Sequence, residues 1–95
     1  MKLRYFLDWS GDILWAGDAE ANEKYGYPAD MELLPISQES RELIGNLFTI
    51  WLSLAQGSNS AKEREDFKNL NEMVFKKLTH ELRFVEISNE MLNSI

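Results

Sequence analysis

Carboxylate and aromatic side chains are the groups of this 95-residue chain best suited to chemistry or recognition, and they gather near its start. Residues 8–32 contain seven acidic side chains and one lysine, a difference of −6 that equals the net charge of the chain. The acidic residues are Asp8, Asp12, Asp18, Glu20, Glu23, Asp30 and Glu32, and the aromatic residues among them are Trp9, Trp15, Tyr25 and Tyr27. Such a segment is either a solvated face or a surface that docks on a cationic partner.

Catalysis and metal binding are the first chemistry to consider for Asp8, Asp12 and Asp18. Paired carboxylates can perform acid–base chemistry when one is desolvated, and they can hold a divalent cation. Aspartate is also common in turns and helix caps, and this role is favoured here. The one histidine, His80, lies near a predicted helix end, where a cation is stabilising. We therefore expect no enzyme activity, no metal site and no cofactor.

Composition excludes several other classes of protein. The chain has no cysteine, so it forms no disulfide and no thiolate metal site. An acidic chain with a pI near 4.7 is a poor direct partner for nucleic acid or anionic membranes. No apolar run approaches membrane-spanning length, and Met1–Tyr5 lacks the apolar region of a signal peptide. One cytoplasmic domain covering 1–95 is expected.

The start of the chain predicts a β-hairpin. Apolar and polar residues largely alternate from Lys2 to Trp9, which is typical of a half-buried strand. Ser10-Gly11-Asp12 is a turn signal, and 13–16 is the predicted return strand.

Three helices are predicted to follow. Asp18 is the expected N-cap of a short helix over Ala19–Tyr25, and Gly26 the residue that ends it. After an extended linker to Pro35, Ser37 is expected to open a second, largely buried helix that contains Trp51. Its end is predicted at the 57–60 loop.

The third helix follows a capping box, Ser60-Ala61-Lys62-Glu63. Its narrow core stripe is Phe67, Leu70, Val74 and Leu78. A last strand is predicted over 83–87, beside the N-terminal strand. The expected fold is therefore α+β, in the order β-β-α-α-α-β, with a small sheet packed against two longer helices and one short helix.

A family resemblance rests on motifs within residues 5–45. Asp8-Trp9-Ser10-Gly11, Leu14-Trp15-Ala16, Tyr25-Gly26-Tyr27-Pro28 and Leu34-Pro35-Ile36-Ser37 resemble motifs of a group of small acidic bacterial proteins. Some of that group are similar to immunity proteins of contact-dependent growth inhibition and related polymorphic toxin systems. After Trp51 the chain departs from the group, because 52–56 continues the helix where many members carry a polar, Pro-rich loop.

The resemblance implies an immunity protein, and it implies no catalytic residues. Its partner would be a cognate toxin domain, most simply a nuclease, bound one to one through the acidic and aromatic residues of 8–32. A non-inhibitory adaptor or regulatory subunit is the alternative function. A homodimer is the alternative to a monomer, because the second helix is apolar over much of its circumference.

Overall fold

The computed structural model describes residues 1–91, and its elements follow the predicted α+β order. The elements are β1 (Lys2–Tyr5), β2 (Leu14–Ala16), α1 (Ala19–Tyr25), a 3-10 turn (Met31–Leu33), α2 (Gln38–Ala55), α3 (Ala61–Glu81) and β3 (Glu86–Asn89).

The sheet has β1 at its centre, in the order β2-β1-β3. β2 pairs antiparallel with β1, with Arg4 opposite Trp15. β3 runs parallel to β1, with Lys2 opposite Glu86. The prediction that the last strand joins the sheet beside the N-terminal strand is confirmed.

Four strand boundaries differ from prediction, two of them only slightly: β2 begins at Leu14 rather than at 13, and β3 ends at Asn89 rather than at 87. β1 ends at Tyr5 rather than Trp9 because its hairpin partner β2 has only three residues, and one further bond joins the Phe6 N–H to the Ile13 carbonyl (3.0 Å). The last strand begins at Glu86 rather than Arg83. The preceding residues form the turn that ends α3, in which the Val85 N–H donates to the Leu82 carbonyl (3.0 Å).

The helix starts agree with the predicted caps. Carboxylate or hydroxyl oxygens of Asp18, Ser37 and Ser60 each accept the backbone N–H of the third residue of the helix that follows, in α1, α2 and α3. The capping box at α3 is modified, because the Ser58 hydroxyl donates to Glu63 (2.6 Å) and accepts the Ser60 N–H (3.3 Å). A third residue thus connects the two members of the box.

The core lies between the sheet and the two long helices. Leu3, Tyr5 and Leu14 are fully buried, and the predicted core positions Trp51, Val74 and Leu78 are buried with them. Phe67 and Leu70 pack against this core and are half-buried.

The second helix is less central than predicted. Only one face of α2 is buried, and Gly45, Asn46 and Thr49 are exposed on the other. Leu43, Phe48 and Leu52 are half-buried along the margins of the buried face, which explains why the apolar pattern covers so much of the circumference. None of the helices within residues 1–91 has the length and apolarity needed to cross a membrane.

Replacing Gly45 by alanine is expected to stabilise the protein by about 0.5–1 kcal/mol. Gly45 lies in the interior of α2, and a methyl group there would meet no atom within 4 Å. Alanine restricts the unfolded chain and favours the helix. Urea unfolding of Gly45→Ala measures the gain, and an unchanged or lower midpoint would contradict this reasoning.

A carboxylate clamp joins the start of α2 to the end of α3. Glu81 accepts hydrogen bonds from the backbone N–H of Ser37 (2.9 Å), the Ser37 hydroxyl (2.8 Å) and the Ser40 hydroxyl (2.8 Å). Partial desolvation opposes ionisation of Glu81, but these donors outweigh it and hold the pKa of the carboxyl below its usual range. The clamp places a negative charge at the N-terminus of α2, where it is favourable.

The clamp predicts an acid-sensitive contribution to stability. Because the pKa of Glu81 is lower in the folded state, its contribution is present above the usual pKa of 4.5 and is lost as the pH falls below it. Glu81→Gln is expected to cost about 1 kcal/mol at pH 7, discounted for solvent access. Urea unfolding at pH 7 and pH 3 should show the difference from wild type shrinking at pH 3, and a constant difference would exclude the clamp's ionic character.

Candidate functional site

Residues 8–32 form one continuous layer along the β2 side of the sheet, which we call the acidic layer. The Ala29 N–H donates to the Leu14 carbonyl (2.9 Å), so the linker runs along the outer edge of β2. The Asp30 N–H donates to the Tyr25 carbonyl (2.7 Å), which ties the linker to the end of α1. The backbone of the acidic segment is therefore contiguous in the fold as well as in the sequence.

The acidic layer has little internal compensation for its charge. Within residues 1–91, no lysine or arginine side chain forms a salt bridge with any of its seven carboxylates. The N-terminal ammonium lies 3.8 Å from Asp18 and 3.3 Å from Glu20. Lys24, the one cation of the layer, lies over the Tyr25 ring at 5.5 Å.

Carboxylates elsewhere are often paired with the chain's own cations. Arg4 contacts Glu90 through two hydrogen bonds of 2.8 Å, and these keep the pKa of the Glu90 carboxyl below its usual range. Lys62 pairs with Asp66 at 3.1 Å. The contrast leaves the acidic layer as a source of negative potential.

The hairpin tip, residues 8–12, brings two carboxylates of the layer together. The Ser10 hydroxyl contacts both Asp8 and Asp12, the latter at 2.8 Å, and the Ser10 N–H donates to Asp8 (2.9 Å). Two like charges that share one hydroxyl partner repel each other. A cation supplied from outside would relieve that repulsion.

An exposed tryptophan stands beside these carboxylates. The Trp9 side chain is 62% exposed, although the alternation of β1 predicted it on the face of Leu3 and Tyr5. Its ring meets Trp51 of α2 edge to face, with centroids 5.2 Å apart, and Phe48 stacks beside Trp51 at 6.0 Å. Contact with Trp51 thus packs one side of the Trp9 ring, while much of its surface faces solvent.

Local backbone geometry holds the tip against α2. Gly11 has a φ of +86°, which side-chain-bearing residues rarely adopt, and a Cβ there would lie 3.2 Å from the Phe48 ring. Trp51, whose ring contacts Trp9, has a buried indole N–H with no hydrogen-bond acceptor among the described residues. An unpaired buried donor costs about 1–3 kcal/mol, so the packing of Trp51 is not optimised for stability alone.

Asp18, Glu20 and Glu23 lie at the other end of β2, on and before α1. Asp18 accepts the Ala21 N–H (2.9 Å), while Glu20 and Glu23 are exposed. Because β2 separates them, Asp18 does not lie in the same cluster as Asp8 and Asp12. In the part of the chain that the structure describes, no three histidine, aspartate or glutamate side chains are placed to hold a metal ion.

Asp30 and Glu32 are exposed on the linker, which is more ordered than the extended segment predicted. Asp30 accepts the Glu32 N–H (3.0 Å) and caps the 3-10 turn. Arg41 of α2 donates to the carbonyls of Met31 (2.8 Å) and Ile36 (3.3 Å). The guanidinium therefore fixes the position of these two acids without neutralising either carboxylate.

The four aromatic candidates divide into two buried and two exposed side chains. Trp15 is buried, stacks on Phe6 at 4.8 Å and donates its indole N–H to the Phe6 carbonyl (2.9 Å). Tyr25 is buried in the core, whereas Tyr27 is 54% exposed and covers Trp15 at 5.1 Å. The exposed aromatic surface of the layer consequently consists of Trp9 and Tyr27.

Three residues that shape the site were not among the sequence candidates. Ser10 holds the tip together, Arg41 anchors the linker, and Trp51, predicted only as core, supports Trp9. Of these three, only Arg41 could have been suspected of a specific contact from the sequence. It is a cation in the first turns of a helix, where the helix dipole disfavours it.

Comparison of this chain with protein-family models, with curated proteins and with solved structures gives no significant match.

Proposed function

We propose that this chain is an immunity protein that binds a cognate toxin domain in the bacterial cytoplasm and neutralises it. Binding is one to one and uses the acidic layer, with its carboxylates as charge partners and its exposed aromatic residues as anchors. The acidic layer covers a basic active-site cleft or a neighbouring exosite of the toxin. The chain itself performs no catalysis in this proposal.

One observation carries the proposal: seven carboxylates lie in one contiguous layer, and no lysine or arginine of residues 1–91 forms a salt bridge with them. A negative surface of this kind speeds encounter with a positive partner and selects against other negatively charged proteins. The resemblance of the 5–45 motifs to immunity-related proteins points to the same class of partner.

A nuclease is the toxin class that fits this surface best. An enzyme that processes nucleic acid holds phosphates in a cleft lined by lysine and arginine. Carboxylates on a folded protein present negative charge to the same cleft and exclude the substrate. A stable complex of standard size buries about 800 Å² on each partner, from about 20–30 residues. The exposed part of residues 8–32 can supply most of this surface.

A growth assay tests the proposal. The toxin domain encoded immediately upstream of this chain is expressed from an inducible promoter, with and without this chain. Restored growth together with co-purification of the two proteins is expected. Continued killing while this chain accumulates in soluble form would refute neutralisation. Co-purification without rescue would instead favour the adaptor function.

A further inference from the structure

We infer that the hairpin tip, residues 8–12, binds an arginine side chain of the partner, laid on the exposed indole of Trp9 and paired with Asp8 and Asp12. The inference rests on the proposed function and adds to it the chemistry of one contact. It commits to one occupant, a guanidinium on an extended segment of the partner protein. Three features of the tip lead to this choice.

The first feature is the geometry of the anchor. Trp9 is 62% exposed, and its ring rests edge to face against the buried Trp51. A supported tryptophan face attracts cations through its π system, and aromatic anchors of low side-chain entropy are enriched among the residues that dominate binding energy.

The second feature is the unmatched charge. Asp8 and Asp12 both contact the Ser10 hydroxyl, and within residues 1–91 neither has a lysine or arginine partner. Their proximity makes a single external cation favourable to both. A guanidinium suits this arrangement better than an ammonium, because it is planar, stacks on an indole and presents several donors to carboxylates at once.

The third feature is independent of the charges. The Trp51 side chain, against which the Trp9 ring rests, is 3% exposed, and its indole N–H has no acceptor in the described chain. A buried donor without an acceptor is uncommon in native structures and is a feature to be explained. The unpaired donor therefore marks the ring contact at the base of the tip as one that is not fully satisfied in the free protein.

A peptide titration of the free protein tests the tip without the toxin. The probes are a capped Gly-Arg-Gly peptide and its neutral citrulline analogue, followed through the indole N–H signals of the three tryptophans in ¹⁵N-labelled protein. The arginine peptide is expected to shift the Trp9 signal saturably at millimolar concentration, with a smaller shift at Trp51. The citrulline peptide is expected to bind at least fivefold more weakly.

Variants distinguish the tip from general attraction to an acidic protein. Asp8→Asn/Asp12→Asn is expected to weaken arginine-peptide binding at least fivefold. Glu65→Gln/Glu72→Gln is the charge-matched control, because both side chains are exposed and lie outside the acidic layer. Phe84, 51% exposed and also outside the layer, serves as the aromatic control in Phe84→Ala. Equal binding of both peptides, or unchanged affinity in the Asp8→Asn/Asp12→Asn protein, would overturn the inference.

Measurements of binding to the toxin domain then distinguish a failure of this inference from a failure of the proposed function. Trp9→Ala is expected to raise the Kd for the toxin about 10- to 100-fold, chiefly through faster dissociation, and Phe84→Ala less than twofold. Wild-type affinity in a folded Trp9→Ala protein overturns the tip contact and leaves neutralisation standing. Saturable arginine-peptide binding without any toxin binding overturns the proposed function alone.

Discussion

The variant in which Glu20, Glu23, Asp30 and Glu32 are all replaced by their amides is expected to associate with the toxin domain about tenfold more slowly at low salt. All four side chains are exposed, and none forms a salt bridge with a lysine or arginine of residues 1–91. Apart from the contact of Glu20 with the N-terminal ammonium (3.3 Å), their removal therefore costs long-range attraction rather than internal pairing. Electrostatic steering of this kind accelerates association by about 10- to 1000-fold.

Stopped-flow association at several salt concentrations measures this effect. The wild-type rate should fall steeply with ionic strength, because screening shortens the range of the attraction. The fourfold variant should start lower and depend less on salt. Its dissociation rate should change less than its association rate, because exposed charges at an interface act mainly on encounter.

A matched variant separates the location of the charge from its total. Glu42, Glu65, Glu72 and Glu86 are exposed glutamates outside the acidic layer, and replacing all four by glutamine changes the net charge by the same amount. This control should associate within about twofold of wild type. Equal slowing in both variants would mean that overall charge, rather than the acidic layer, governs association.

Replacing Tyr5 by phenylalanine is expected to destabilise the fold by about 1–3 kcal/mol. The Tyr5 ring is fully buried, and its hydroxyl donates to the Asn71 side-chain carbonyl at 2.6 Å. This bond joins the central strand β1 to α3. Phenylalanine keeps the ring and its contact with Phe75 but leaves a buried acceptor without its donor.

A double-mutant cycle isolates this contact. Asn71→Leu also leaves one partner unpaired, whereas Tyr5→Phe/Asn71→Leu removes both polar groups together. The double variant is expected to be less destabilised than the sum of the two single variants, because the penalty arises from unpaired groups. Urea unfolding measures all four proteins, and strict additivity would show that the hydrogen bond contributes no coupling.

The Tyr5 hydroxyl also makes the stability of the fold depend on pH in the alkaline range. Burial raises the pKa of Tyr5, so its contribution is complete below the ordinary pKa of 10.0 and is lost as the pH rises above it. The wild type should lose stability relative to Tyr5→Phe by up to about 1.4 kcal/mol per pH unit above pH 10. Parallel stability curves for the two proteins between pH 9 and pH 11 would contradict the burial argument.

Elements governed by neighbouring residues were predictable from the sequence. The caps at Asp18, Ser37 and Ser60 require only a side-chain oxygen a few residues from a free N–H. The hairpin follows from alternation and a glycine that adopts positive φ. The place of the last strand beside β1 follows from the need to cover one face of a small sheet with two long helices.

Contacts between distant segments were not predictable in the same way. Nothing near Glu81 indicates that its carboxylate holds Ser37, 44 residues away, or that Arg41 binds the linker carbonyls. The length of β1 depends on that of its partner β2. Trp9 is exposed for the same reason, since the paired strand ends before the alternation does.

The acidic layer depends both on local sequence and on contacts between distant segments. Its composition is a property of the sequence between residues 8 and 32, but its continuity depends on two backbone contacts, Ala29 to Leu14 and Asp30 to Tyr25. These contacts fold the linker back along β2. Burial of Trp15 and Tyr25 leaves Trp9 and Tyr27 as the aromatic side chains that a partner can reach.

Titration of the toxin domain's enzymatic activity with purified protein tests whether this chain neutralises the toxin through the acidic layer. The activity of the upstream-encoded domain is measured at fixed concentration while this chain is added in increasing amounts at physiological salt. Well above Kd, a linear fall that ends at one equivalent is expected. At a toxin concentration near Kd, the fourfold acidic-layer variant is expected to need several-fold more protein for half inhibition than the wild type. Full activity at a large excess of the wild-type chain would contradict neutralisation, and equal inhibition by the fourfold variant near Kd would contradict the role of the acidic layer.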